Sequence, residues 1–176
     1  MTTPWKRLGI FFLMWVPLAV YGEILYYRLR EPFFKLPLGT EMQIPALRND
    51  AYGEGHFGAS RNGGRVHEGL DWEARIGDSV WASKSGRVSF AGTKGGYGTF
   101  VEIKHPDGLR SRYAHLDSVY VKAGDWVKRG QLVGEAGKTG NASSPFIKAH
   151  LHFEIRDKHK ALDPNKLLGA GLSAKD

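Results

Sequence analysis

Ala149–Arg156 reads A-H-L-H-F-E-I-R, an unbroken alternation of apolar and polar residues. Successive side chains of an extended chain point to opposite faces. Leu151, Phe153 and Ile155 therefore share one side, and His150, His152, Glu154 and Arg156 share the other. A helix would set His150 and His152 about 200° apart, so only a strand lets the two imidazoles converge. The segment predicts a strand with its apolar face on a core and its histidine face turned to chemistry.

The surroundings carry the same signature. In Thr99–His105 (TFVEIKH) Val101 and Ile103 alternate, and Pro106-Asp107-Gly108 is a turn that hands the chain to Leu109–Leu116 (LRSRYAHL). Ser118–Gly134 gives two more short strands around Ala123-Gly124-Asp125. Eighteen of the 23 glycines fall between Gly53 and Lys160, against a typical share of ~7%. They punctuate short apolar runs, as tight turns between strands require, because glycine adopts positive φ without steric cost. Beyond residue 50 only Asn165–Leu168 hints at a helical period. The expected fold is a mainly β, compact antiparallel domain with a modest core.

Composition removes whole classes of function. The chain has 176 residues and no cysteine, which excludes disulfide scaffolds, Cys-ligated zinc fingers, iron–sulfur clusters and thiol catalysis. Its 25 Lys+Arg against 18 Asp+Glu give +7, but no basic run of five or more occurs, so nucleic acid is not the expected partner. Leu8–Tyr27 is apolar except for Glu23; as a helix of twenty residues it spans ~30 Å, enough to cross a bilayer core. Lys6 and Arg7 precede it, Trp5, Tyr21, Tyr26 and Tyr27 stand where interface anchors belong, and no Ala-x-Ala cleavage site follows. The expected organisation is a short N-terminus (1–7), an uncleaved transmembrane signal anchor (8–27), an extended linker with Pro32, Pro37 and Pro45 (28–52), a β domain (53–168) and a tail (169–176).

Four of the seven histidines lie in informative places. His67-Glu68-Gly69-Leu70-Asp71 spaces a histidine and an aspartate by four, which in extended chain puts both on one face. It is not the helical HExxH motif, since Asp71 stands where the second histidine would. Tyr113-Ala114-His115 places another histidine on a strand, on the face it shares with Tyr113. Imidazole and carboxylate are suitable zinc ligands, and a catalytic zinc takes three of them and leaves a position for water. His67, Asp71 and one of the His150/His152 pair supply such a set; the remaining histidine and His115 are left to handle protons. His56, His105 and His159 read as hydrogen-bonded or surface histidines.

From Phe57 to Leu168 the chain resembles the lysostaphin-type (LytM-like) zinc metalloendopeptidases, which cleave peptide cross-links of bacterial cell walls. The resemblance rests on Phe57-Gly58 with Arg61, His67-x-Gly69-x-Asp71, Gly77-Asp78-x-Val80-x-Ala82 leading to Gly86-x-Val88, and Gly96-Tyr97-Gly98. It continues through Tyr113-Ala114-His115-Leu116, Gly124-Asp125-x-Val127-x-x-Gly130-Gln131, His150-Leu151-His152-Phe153-Glu154 and Asp163-Pro164. It implies a barrel-sandwich hybrid type of β fold, one Zn2+ held by His67, Asp71 and His152, and His115 and His150 as the catalytic histidines. It further implies an endopeptidase acting on peptidoglycan from the periplasmic or wall side of the plasma membrane, with residues 1–7 cytoplasmic. The alternatives on similar folds are a non-catalytic wall-binding or amidase-regulating module, and a biotinyl or lipoyl carrier domain modified at Lys138, in which the histidine motifs would have no role. One departure stands out. Gly140–Ala149 is longer than the family's loop, and Lys148-Ala149 replaces the usual Gly-Pro before the histidine strand. That loop is expected to border the substrate groove, with Phe146 as lid, substrate contact or buried packing.

Overall fold

A computed structural model describes residues 21–39, 44–61 and 63–169. Two short ladders come first, β1 (Asn49–Asp50) with β2 (Gly53–Glu54), and β3 (Ser60–Arg61) with β4 (Arg65–Val66). The chain continues as β5 (Leu70–Glu73), β6 (Ser79–Trp81), β7 (Gly86–Thr93), β8 (Thr99–Lys104), β9 (Leu109–Ala114) and β10 (Leu116–Val119). It ends with β11 (Trp126–Val127), β12 (Leu132–Ala136), β13 (His150–Asp157) and β14 (Lys160–Leu162). The pairings are antiparallel throughout. The large sheet runs β11-β7-β8-β9-β13-β14, and β6, β12 and β10 form a three-stranded second sheet. The mainly β expectation holds, and Asn165–Leu168 contributes only a 3-10 turn, Pro164–Lys166, capped by the Asp163 side chain.

β13 is the strand read from the Ala149–Arg156 alternation. Leu151, Phe153 and Ile155 are completely buried, with Trp72 stacked on Phe153 at 5.6 Å and Tyr113 at 5.3 Å. The opposite face is covered as well, since His150, His152 and Glu154 are all buried. Along one side β13 pairs with β9; along the other, its first half pairs with β5 and its second with β14. Gly69 makes the β5 approach possible, because a Cβ there would collide with the Phe153 carbonyl.

Among the described residues no helix is long and apolar enough to cross a membrane. The expected span at 8–27 lies outside them as far as residue 20; its last residues, 21–27, are α-helical, as are 28–30. Beyond that helix the Pro-rich segment is packed into the domain. Glu31 is buried and its carboxylate accepts from the Ser85 amide and hydroxyl, both at 2.7 Å. Phe34, Leu36 and Leu38 join the main core, and backbone bonds link Phe34 to Leu167, Lys35 to Ser83 and Trp81 to Pro37. The Phe34 ring meets the edge of His105 and lies under the Lys84 ammonium. Removing so buried an aromatic costs about 3–5 kcal/mol, so Phe34→Ala is expected to lower unfolding stability by that order in chemical denaturation. A loss under ~1 kcal/mol, the range of exposed positions, would mean that 31–39 is only a tether.

His105 is buried between the Ser85 carbonyl and the Ser111 hydroxyl, each 2.9 Å from a ring nitrogen. Burial pushes it down to about 4, with the Ser85 bond and Asp107 opposing. An unfolded histidine titrates near 6.5. Between those values the unfolded chain binds more protons, so this residue's contribution to stability is lost as pH falls through that window, about 3 kcal/mol in all. Stability measured between about pH 7 and pH 4 is expected to fall less steeply in His105→Asn than in the parent.

Candidate metal and catalytic site

Strand register assembles the site. His152 on β13 lies directly opposite Asp71 on β5 and, on its other side, opposite Ala114, the last residue of β9. His67 precedes β5 and folds back over it, its amide bonded to the Ala59 carbonyl. His115 follows Ala114 with φ +62, a left-handed backbone that interrupts the chain between β9 and β10. The sequence placed His115 on a strand face shared with Tyr113. Instead Tyr113 is core and the positive φ swings His115 out of that alternation, with its ring against His150 at 4.9 Å and His152 at 5.8 Å. All five residues singled out by sequence thus meet in one place, and all five are buried.

The hydrogen bonds dictate where the ring protons sit. His67 Nδ1 is 2.8 Å from the His56 carbonyl, which can only accept, so Nδ1 carries the proton and Nε2 the lone pair. His152 Nε2 is 2.9 Å from a Glu154 carboxylate oxygen, so it donates there and leaves Nδ1 facing inward. His67 Nε2, His152 Nδ1 and Asp71 Oδ1 then form a triangle with sides of 2.9, 3.0 and 2.7 Å. Three lone-pair atoms at such separations repel unless a cation sits among them. Ligands ~2.0–2.1 Å from a tetrahedral metal stand roughly 3.3 Å apart, close to the observed triangle. Two imidazoles and a carboxylate are a donor set that could hold a metal ion, and this is the group with that geometry among the described residues.

The surrounding charges hold the triangle in shape. The other Asp71 oxygen accepts from Arg48 Nη2 at 3.0 Å and Arg61 Nη2 at 3.1 Å, leaving Oδ1 for the centre. Burial works against the Asp71 charge, yet its hydrogen bonds with His152 and His67 hold the carboxyl well below the usual range. For His152, burial is likewise outweighed by Asp71 and Glu154, and the imidazole is pushed up to about 9: a proton can take the place of a metal cation in the triangle. Glu154 is itself anchored by the Tyr97 hydroxyl at 2.8 Å, Arg156 at 2.8 Å and Arg112 at 3.2 Å.

His150 and His115 are arranged differently. Each donates from Nδ1 to a backbone carbonyl, Lys148 at 2.7 Å and Thr139 at 2.8 Å respectively, so Nε2 of each is a free base. Burial lowers both; in His115, with His152 and His150 close by, the value falls to about 3. Both are neutral near pH 7. Thr139 is fixed where Gly98 and Gly140 cross, both with positive φ and too close for any side chain between them. Arg48, Tyr97, Thr139 and Glu154 are the contributors that sequence reasoning left without a role. Glu154 had a signal there, as the next polar residue on the His150/His152 face, and Tyr97 stood in the Gly96-Tyr97-Gly98 motif without a role. Phe146 in the long loop is exposed and stacks on Tyr52 at 6.5 Å, which removes buried packing as its role.

The fold and this cluster define a metallopeptidase-like domain, and residues 65–164 match the model of peptidase family M23, to which the chain belongs. It is 40% identical over 100 residues to the DD-carboxypeptidase/endopeptidase Mpg of Neisseria meningitidis, covering 57% of this chain and 22% of that protein. It is also 40% identical over 113 residues to the murein hydrolase activator NlpD of Escherichia coli, covering 64% of this chain and 28% of the relative. The chain thus spans about a quarter of the length of these curated relatives. Among solved structures, lysostaphin from Staphylococcus simulans superposes with a TM-score of 0.61 at 31% identity, over 80% of this chain and 57% of that one. A zinc-containing peptidase from Vibrio cholerae gives 0.60 at 31%, over 75% and 39%. The lysostaphin-type resemblance is therefore sound.

If the triangle is the metal site, elemental analysis of protein supplied with zinc is expected to find one ion per chain. His67→Ala and His152→Ala are expected to lose it and His150→Ala to keep it. Loss of the metal in His150→Ala, with retention in His152→Ala, would reverse the assignment.

Proposed function

We propose that this chain is a zinc-dependent peptidoglycan endopeptidase, with His67, Asp71 and His152 holding one Zn2+ and with His115 and His150 as the catalytic histidines. The observation that carries this reading is the pair of unprotonated Nε2 atoms on His115 and His150 beside the donor triangle; metal binding alone would not need them. When bound, the zinc supplies Lewis acidity, polarising the scissile carbonyl and bringing the pKa of a water near 7. The two free Nε2 atoms are fitted to accept that water's proton. In the neutral rings the only proton is on Nδ1 and committed to a carbonyl. A ring must therefore take up a proton at Nε2 before it can donate to the leaving amine, so acceptance and donation at one ring run in sequence. His150 Nε2 stands 4.0 Å from Asp71 Oδ1 and the His115 ring packs against His150 and His152, so both histidines border the same reacting centre.

Family membership and the names of several relatives support peptidoglycan as the substrate. The apolar run Leu8–Tyr27 supports anchoring in the plasma membrane with the domain on the periplasmic or wall side, where peptidoglycan lies. One specific observation favours a second reading, an amidase-regulating module: one relative at 40% identity is named a murein hydrolase activator. Full-length protein in mild detergent, incubated with purified peptidoglycan, is expected to release peptides with new amino termini, identified by mass. Chelator should abolish the release and zinc restore it. His115→Ala and His150→Ala, each retaining metal, are expected to lose at least 10²-fold in rate. Zinc-loaded parent protein that leaves cross-linked muropeptides intact would overturn the enzyme reading in favour of the regulatory one.

A further inference from the structure

Away from the site, the described residues carry a patch of exposed aromatic and cationic side chains where helix 21–30 meets the sheet edge. Tyr27 packs on Trp126 of β11 at 5.3 Å, Arg129 Nη2 reaches the Arg30 carbonyl at 3.5 Å, and the Glu31–Ser85 bonds lock the helix end in place. Ile24 and Tyr27, one helical turn apart, are half-buried, whereas Tyr21, Leu25 and Leu29, spaced by four, are exposed. Trp126 extends this apolar surface, at 39% exposed. Cations surround it: Arg87 lies opposite Trp126 in the ladder and Lys104 opposite Arg87, with Lys122, Lys128 and Arg129 in the flanking turns and Arg30 on the helix. The acids nearby are fewer: Glu31 holds Ser85 and lies 4.0 Å from Arg129 Nε, Asp107 pairs with Lys84, Asp125 accepts from the Lys122 amide, and Glu23 stands on the helix.

We infer that this tip, made of helix 21–30, the Lys122–Asp125 turn and β11, rests on the headgroups of an anionic phospholipid bilayer. The inference rests on the anchor reading of Leu8–Tyr27 given above. Tyr27 is the last residue of that apolar run, so whatever touches Tyr27 lies at the end of the span, and the structure puts Trp126 there. Amphipathic aromatics settle at headgroup depth, and lysine and arginine beside them gain from the negative surface potential. The domain is held against the membrane by this contact because residues 31–39 are built into its core. Three strands separate β11 from β13 in the sheet. Trp126 shares a row with Arg156, so four strand steps of ~4.8 Å and four residues of ~3.3 Å put His152 roughly 23 Å across the sheet from Trp126, and the substrate is peptide lying close to the bilayer.

The chain has no cysteine, so one engineered cysteine reports one place. Full-length Lys128→Cys and Lys160→Cys, the latter on β14 at the far end of the sheet, are spin-labelled and reconstituted into vesicles. One set of vesicles is pure phosphatidylcholine; the other also contains phosphatidylglycerol. Flotation reads anchoring, and accessibility to lipid-soluble and water-soluble relaxants reads the position of the label. With phosphatidylglycerol present, the Lys128 label is expected to be shielded from the aqueous relaxant while the Lys160 label stays fully accessible. Adding Lys104→Glu and Lys122→Glu is expected to weaken that shielding roughly tenfold or more in the salt needed to reverse it. Protein that floats with vesicles but leaves the Lys128 label as accessible as Lys160 overturns this inference and spares the anchor. Shielding that is equal in both lipids, or that arises only when purified peptidoglycan is added, overturns the anionic-lipid assignment. Failure to float overturns the anchor reading itself.

Discussion

The register that sets His152 opposite Asp71 is the constraint on which the site depends. β5 and β13 can pair there only because Gly69 lets the chain lie against the Phe153 carbonyl. Once they pair, an aspartate and an imidazole are forced within hydrogen-bond distance in the interior, and His67 closes the third side. A slip of one residue would send every side chain of β13 to the other face, burying the histidines in the Leu151–Phe153–Ile155 core. The apolar face and the donor triangle are thus products of the same pairing.

Burying the five site residues and Glu154 is tolerable because each of these side chains has a defined partner. Asp71 divides its two oxygens, one for Arg48 and Arg61 and one for the centre. Glu154 gathers Tyr97, Arg112, Arg156 and His152. Backbone carbonyls of His56, Lys148 and Thr139 each settle one imidazole tautomer, so the ring orientations are imposed by main chain. The long 140–149 loop belongs to this framework through the Lys148 carbonyl, and its amide at Lys148 is held by Asp50, which also binds Arg48.

The alternation of Ala149–Arg156 was enough to recover the central strand and its two faces, because a period of two survives any tertiary context in which one face is core. The HxxxD and HxH spacings gave His67, Asp71 and one of the His150/His152 pair as donors, and the family resemblance singled out His152. Three things were not legible. The left-handed turn at His115 leaves no mark in sequence, since even histidine, enriched there, adopts positive φ in a small minority of cases. Arg48 lies 23 residues from Asp71, and their meeting depends on how the short β1–β2 and β3–β4 ladders fold over β5. The Pro-rich stretch after residue 28 reads as an extended connector because its apolar residues, Phe34, Leu36 and Leu38, alternate too briefly to declare a core face.

That last segment has a consequence for how the domain explores space. A free linker of nine residues has an end-to-end spread of about 16 Å, and a domain hung from it would sample every orientation within that radius. With Glu31 bound to Ser85 and Phe34 sunk in the core, this freedom is gone. The helix at 21–30 is therefore held at one distance and one angle from the site. A ligand held on that helix would meet the site at the effective concentration of a rigid mount, high within one narrow shell and negligible outside it.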